Sequence, residues 1–339
     1  MNKYTPIAAG VFLAIATSGA MANTILVNQN GVGNMIAPVQ DATVVNGTII
    51  INQVGDFNKS TPEQTGTTNN SLIGHSQIGD LNMAESLQDD TSGSFATINQ
   101  VGDGHDATTQ QFSAHSSTAN VLQSGSPQLA TITQFNVHTN IATVNQDGSS
   151  NDANVNQSFG TLNGTLVNQS SSYVLGNSIT TMQSGGSFNL IEAYQKGREN
   201  SALVSQVAGS GNISVTSQDG KWNNLNVAQS GDGNYSRVFQ YWESNTAIHN
   251  QSGDDNWAKT IQKSRNNIAW VSQPGDMNES SIIQSGGNVN QYYITQSGNS
   301  NEFTATQTGN SNFISVVQAG NGNMQVVNQI GDNNMYIFP

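Results

Sequence analysis

The stretch Gln146-Asp-Gly148-Ser-Ser-Asn151-Asp-Ala153-Asn-Val155-Asn-Gln157 decides the fold. Asn151, Ala153, Val155 and Gln157 alternate with polar residues. A period of two marks a strand with one face turned inward. The residues from Gln146 to Asn151, with Gly148 in second place, read as an arc, because Gly admits a positive φ. The unit is therefore a short strand followed by a tight arc.

The same unit recurs along the chain, as Gln262, Asn267, Ala269, Val271, Gln273 and as Gln307, Gly309, Asn312, Ile314, Val316, Gln318. Of the 31 Gln, 27 fall on one lattice running from Gln29 to Gln329. From Gln195 onward every step is 11 or 12 residues; before it, steps of 11 alternate mostly with 12 or 13. The composition alone is ambiguous. The 339 residues include no Cys, only 9% are charged, the formal net charge is −13, and large aliphatic residues are too few for an ordinary core. Disorder and Gln/Asn-rich aggregation share that signature, but neither holds an 11-residue register over the length of a chain.

Two steps close one rung of about 22 residues, which cannot bury a core alone, so rungs must stack. The expected fold is an all-β solenoid of about 13 two-strand rungs, a rod about 60 Å long at the usual strand spacing. Inward amides would then line up in columns, each donating to one neighbour and accepting from another. The expected ladder comprises Gln146, Asn151, Gln157, Gln229, Asn234, Gln240, Gln251, Asn256, Gln262, Asn267, Gln273, Asn278, Gln296, Asn301, Gln307, Asn312, Gln318, Asn323, Gln329 and Asn334.

Residues 1–22 read as a signal peptide: Lys3, an apolar run from Ile7 to Ala16, and Ala20-Met-Ala22 before the cleavage site. The run is too short to span a membrane. Two repeat regions follow, a less regular one over 23–182 and a regular one over 183–339. They are separated by a slip where the steps around Gln183 are 14 and 12 and where Ser170 to Tyr173 lack Gly. This slip is expected to be a bulge in one stack or a soft joint between two. Neither end reads as the polar cap that soluble solenoids carry, and uncovered strand edges recruit further strands. Pro38 and Pro62, 24 residues apart, would stack, each removing a ladder donor, and read as gatekeepers.

Two arc edges differ in chemistry. Asp56, Asp80, Asp103, Asp232, Asp254, Asp276 and Asp332 sit beside the arc Gly and read as solvated, mutually repelling gatekeepers rather than as calcium ligands. The other edge carries Lys196, Arg198, Lys221, Trp222, Tyr241, Trp242, Lys263 and Arg265, among them five of the nine cationic residues. It is a candidate partner edge for a polysaccharide or a second fibre, with local charge balance and arc packing as the alternative. The net charge argues against nucleic acid.

The residues suggest no enzyme and imply no cofactor or metal. The five His are scattered, with His75, His105 and His249 on inward lattice positions. The chain has no thiol, nucleophile elbow, phosphate loop or H-E-x-x-H helix.

Gln229-Ser-Gly231-Asp-Gly-Asn234 running to Gln240, and Gln318-Ala-Gly320-Asn-Gly-Asn323 running to Gln329, resemble the curlin repeat of bacterial curli fibres. The resemblance extends over nearly all of the chain after residue 22. It implies a secreted functional-amyloid subunit of a biofilm matrix, exported through an outer-membrane pore, folded on a growing fibre and served by a nucleating subunit. The chain is longer than that family's usual handful of double repeats. Asn23, Ile25, Val27 and Gln29 also form a repeat strand directly after the cleavage site, where the family has a leader. A self-assembling, extracellular, cell-surface fibre subunit is the expected function; the alternative is a monomeric secreted solenoid that acts as an adhesin or binds a ligand.

Overall fold

The computed structural model describes residues 23–339 apart from Tyr173. The expected signal peptide, residues 1–22, lies outside the described residues. Every regular element among those described is a β-strand, and every strand pair runs parallel. The strands alternate between two sheets, so that each strand pairs with the next but one along the chain. This is the β-solenoid expected from the lattice. Two compact units are distinguished, to Leu162 and from Asn163 to Pro339.

In the first unit, one sheet stacks Thr24–Asn30, Thr48–Val54, Leu72–Ile78, Phe95–Gly102, Thr118–Gly125 and Ile141–Gly148. The other stacks Lys59–Thr65, Met83–Asp89, Asp106–Phe112, Leu129–Phe135 and Asp152–Ser158. It is preceded by a strand broken into Met35–Ile36 and Val39–Gln40. In the second unit the two sheets begin at Gly164–Ser171 and Ser178–Ser184 and end at Met324–Ile330 and Met335–Phe338. The repeat fixes the register: Gln29 pairs with Gln53, Gln123 with Gln146, and Gln240 with Gln262.

Between the sheets the inward positions alternate small and branched residues. Ala96, Ala119 and Ala142 stack beside Ile98, Val121 and Val144, all buried. Small residues let the sheets approach, and the branched ones suit the pleated surface and fill the space left. Towards the end of the second unit Tyr292 and Phe303 replace small residues and are fully buried among Val271, Ile294 and Val316.

The longer spacing of the first unit lies in its arcs and not in its strands. Its Gln columns repeat every 23 or 24 residues, against 22 through much of the second unit. The extra residues form a wider arc with its own buried column of Val44, Thr68, Thr91, Ala114 and Val137. Bridges from Val45 through Asn69, Ser92, His115 and His138 to Thr161 hold that arc turn to turn.

The slip after Gln169 is a bulge. Gln169 still pairs with Gln195, 26 residues on, and donates to its Oε1 at 3.0 Å. The surplus leaves the stack as a loop in which Val174 and Leu175 are exposed. Of the two prolines, Pro38 falls in the break between Met35–Ile36 and Val39–Gln40, whereas Pro62 lies within the unbroken Lys59–Thr65 strand. Ala37 and Asp41 donate their N–H groups to the Lys59–Thr65 strand, so by strand alternation the missing N–H of Pro38 would have faced away from that strand.

The arc glycines are required by close approach as well as by conformation. Gly79 has φ 116°, and a Cβ on it would lie 2.1 and 2.7 Å from the carbonyl O and C of Gly102 in the next turn. Backbone cannot give way as a side chain can. We therefore expect Gly79→Ala to lower stability by roughly 1–3 kcal/mol, read as a fall in the denaturant midpoint. An unchanged midpoint would show that the arcs are looser than this stacking requires.

Candidate functional site

The structure offers two candidate sites: the buried amide ladder, which continues from turn to turn, and the cationic aromatic edge of the second unit. The ladder is built first by the strands, whose alternation turns one Gln per strand inward at its C-terminal end. A primary amide has two donor hydrogens and an acceptor oxygen, and burial makes each of them costly to leave unpaired.

Each ladder Gln meets that demand in two directions. Gln123 Nε2 donates to Gln146 Oε1 of the next turn at 2.9 Å and to the Asp106 carbonyl of the opposite sheet at 3.1 Å. The pattern repeats at Gln229, Gln240, Gln251, Gln262, Gln273 and Gln284, whose donor bonds to the next Gln measure 2.8 to 3.1 Å. Gln296 donates to Gln318 at 2.8 Å and Gln307 to Gln329 at 3.0 Å. Gln134 reaches Gln157 at 2.9 Å. The donor always points to the later turn, so the ladder has a direction. The second hydrogen ties the two sheets together across the core.

The Asn column forms the expected amide stack, with the donor pointing to the earlier turn, as in Asn256 Nδ2 to Asn234 Oδ1 and Asn278 Nδ2 to Asn256 Oδ1, each at 3.1 Å, and it adds backbone contacts. Its oxygen accepts a backbone N–H, as in Asn234 Oδ1 from Asn256 N at 3.1 Å and Asn256 Oδ1 from Asn278 N at 3.0 Å. Its amide reaches arc carbonyls, as in Asn234 Nδ2 to Gly253 O at 2.7 Å. Asn267, Asn290 and Asn312 repeat the backbone contact, as do Asn278, Asn301 and Asn323. Asn therefore pins the junction between arc and strand, where backbone groups leave the sheet. Asn151 is buried and binds the Asp147 carbonyl. In the last turn Asn323 is exposed and Asn334 half-buried, although both still bond to the turn before.

The arc aspartates are not free gatekeepers. Asp80 Oδ1 accepts the Asp56 N–H at 2.7 Å, Asp103 Oδ1 that of Asp80 at 2.8 Å, and Asp254 Oδ1 that of Asp232 at 2.8 Å. Asp276 is followed by Asn299 in the same role. Each carboxylate caps a backbone donor of the arc before it, which is why Asn can substitute. No group of three or more His, Cys, Asp or Glu suited to a metal ion occurs among the described residues, and no helix there is long and apolar enough to cross a membrane.

The second site is the edge formed by arcs of consecutive turns. Lys196, Tyr241, Trp242, Lys263 and Arg265 are exposed, as is Trp222, and Arg198 and Lys221 are half-buried. Lys221 lies 4.5 Å and Arg198 5.6 Å from the Trp222 ring centre, and Arg265 5.7 Å from that of Trp242. Glu243 joins the two halves, 2.7 Å from Lys221 and 3.1 Å from Arg265. The hydrogen bond from Lys221 and the neighbouring guanidinium of Arg265 hold its carboxyl below the ordinary range. Sequence reasoning missed Glu243, which lies one residue beyond Trp242 in the same arc; the run Tyr-Trp-Glu was the available signal.

Two inward histidines join the core as neutral rings. His75 bridges Ser60 and Ser86 at 2.8 and 2.7 Å, and His249 bridges Ser236 and Thr260 at 2.8 and 2.7 Å. Burial lowers the pKa of each to about 3. His105 is also buried, and its pKa is lowered by the same cause.

Residues 189–220 match the family model of the curlin associated repeat. This segment carries a curlin repeat. It contains the ladder members Gln195, Gln206 and Gln218 and the arcs of Lys196 and Arg198, so the curlin register is the one that sets the buried columns. No curated protein matches the chain.

Removing one rung of the ladder orphans a donor below and an acceptor above, each costing roughly 1–3 kcal/mol. Gln296→Ala should therefore destabilise the fold more than Gln325→Ala. Gln325 bonds only to Tyr336 OH and already has an unpartnered Oε1. Equal denaturant midpoints for the two variants would contradict the ladder account. The histidines add a pH dependence. Below the ordinary pKa of 6.5 the unfolded chain takes up protons that the folded chain refuses until about 3. Stability is thus complete above pH 6.5 and falls as pH drops through that window, by roughly 3 kcal/mol per histidine at two units below it. His75→Ile with His249→Val should flatten the pH profile of the denaturant midpoint; an unaltered profile would mean that other groups govern it.

Proposed function

We propose that the chain is the subunit of an extracellular, curlin-like amyloid fibre, assembled by adding a further copy to the open ladder. The carrying observation is the polarity of the Gln column. Each Nε2 donates to the Oε1 of the following turn, so at the edge of Met324–Ile330 the Gln329 amide faces away from Gln307 with donor capacity to spare. At the edge of Thr24–Asn30, Gln29 donates to Gln53 and its oxygen faces the other way. The two strands share the triplet Val-Asn-Gln, Val27 to Gln29 and Val327 to Gln329. An in-register junction between copies would continue the column with the same bond as every internal turn.

Apolar groups at the last strands favour the same junction. Met324, Val326, Met335 and Ile337 are all more than half exposed, and the main chain beside them offers a parallel edge. The curlin repeat at residues 189–220 supports the reading through a family of fibre subunits. Secretion, an outer-membrane pore and a nucleating partner belong to that reading as its consequences. A soluble solenoid adhesin is the competing function, and the exposed aromatic edge is the observation in its favour.

The test is assembly of residues 23–339 diluted from denaturant at micromolar concentration. Thioflavin fluorescence should rise with a lag that preformed fibres abolish, and the product should diffract at about 4.8 Å along its axis. A folded monomer that persists without seeding or fibre growth would replace the fibre reading with the adhesin.

A further inference from the structure

The cationic aromatic edge is more than a charge-balancing ornament of the stack. Trp242 occupies a column position that Gly197 and Gly220 hold in the two turns before it. It does so with φ 73°, a left-handed conformation costly for a bulky side chain, and with 61% of its surface exposed. The fold gains little burial from this residue, whereas Gly satisfies the same position at no conformational cost. Trp222, two positions beyond Gly220 in its own arc, has φ 57° and is 46% exposed. The Lys221–Glu243–Arg265 pairing neutralises part of the edge and leaves Lys196 and Lys263 exposed.

Two concavities flank these rings. One of about 510 Å³ is lined by Lys196, Arg198 and Lys221 together with Ser170, Ser172 and Asp219. The other, of about 360 Å³, is lined by Trp242, Lys263 and Arg265 with Ser264 and Asn288. Both fall within the size range of small-ligand clefts. Each combines cations with short hydroxyl or amide groups, the combination needed to bind a carboxylate and hydroxyls on one rigid unit. The flat indole faces suit the C–H face of a sugar ring. The turns repeat at about 4.8 Å, close to the advance of one pyranose along an extended chain.

We propose that the edge formed by Lys196, Arg198, Trp222, Trp242, Lys263 and Arg265 binds an extended polyuronate chain. The uronate carboxylates meet the cations in the two concavities and the sugar faces stack on Trp222 and Trp242. A local basic stripe on a chain of net charge −13 concentrates a linear polyanion at this edge and repels it elsewhere. Nucleic acid, with its denser charge, gains less from stacking here than it loses against the acidic remainder.

The test is titration of folded residues 23–339 with a soluble oligogalacturonate at low salt, followed by tryptophan fluorescence and by co-sedimentation. We expect saturable binding that weakens with added salt. Trp222→Ala with Trp242→Ala, and separately Lys196→Glu with Lys263→Glu, should each weaken it about tenfold or more. Trp222→Phe with Trp242→Phe should retain most of it. Assembly kinetics should be unchanged in all three, which separates a folding defect from a lost site. Undiminished binding by the alanine or glutamate variants would overturn the proposal. So would equal affinity for a neutral glucan, tighter binding of single-stranded DNA, or loss of fibre bundling with oligogalacturonate binding intact, the last marking a surface for a second fibre. The titration is read on the chain whether monomeric or assembled, so its failure is distinct from failure of the fibre reading.

Discussion

A buried primary amide must have partners for two hydrogens and an oxygen, and the remaining structure depends on how this chain provides them. One hydrogen goes to the next Gln and one to a carbonyl of the opposite sheet, as at Gln229, which reaches Gln251 Oε1 and the Ile213 carbonyl. The first bond demands an identical residue one turn away in strict register. The second demands that the two sheets stay close enough for a side chain to cross. Slipping a strand by one residue would turn every amide of that strand to the wrong face. A polar core thus specifies register more sharply than an apolar one, since apolar contacts tolerate exchange whereas orphaned amides do not.

The Asn and Asp columns extend this logic to the arcs. Strand backbone is paired by its neighbours along its length, whereas arc backbone is paired only in part, as by Asp255 N to the Asp232 carbonyl at 2.8 Å, and further arc donors are answered by Asn234 Oδ1 inside and by Asp254 Oδ1 outside. Glycines then let successive arcs lie against one another, as with Gly231 against Gly253. Where the arc departs from this scheme, at Trp222 and Trp242, the departure is on the surface and carries cations with it. The fold tolerates such side chains because the ladder behind them is continuous, with Gln218, Gln240 and Gln262 bonded in series.

Much of this was legible in the sequence. The Gln lattice reports register directly, since one residue type answers one geometric demand, and the period-two pattern around Ala153 and Val155 identifies the inward face. The arcs were harder to read. Nothing local distinguishes a carboxylate that caps a neighbouring turn from one that is merely solvated, so Asp80 and Asp254 looked like gatekeepers until the N–H donors one turn away were in view. The wider arcs of the first unit hide a buried column at Val44, Thr68 and Ala114, because residues so unlike share no lattice. The slip after Gln169 shows why spacing alone is a weak guide to continuity: a loop absorbs the surplus and the column is preserved. Glu243 was overlooked because its two cationic partners lie in other turns.

Side-chain amide hydrogen exchange tests the central claim most directly. In the folded chain the Nε2 protons of Gln123 and Gln229 should exchange about as slowly as the core backbone amides, because both hydrogens are bonded inside the stack. Exchange of those protons at the rate of a solvent-exposed glutamine would contradict the account.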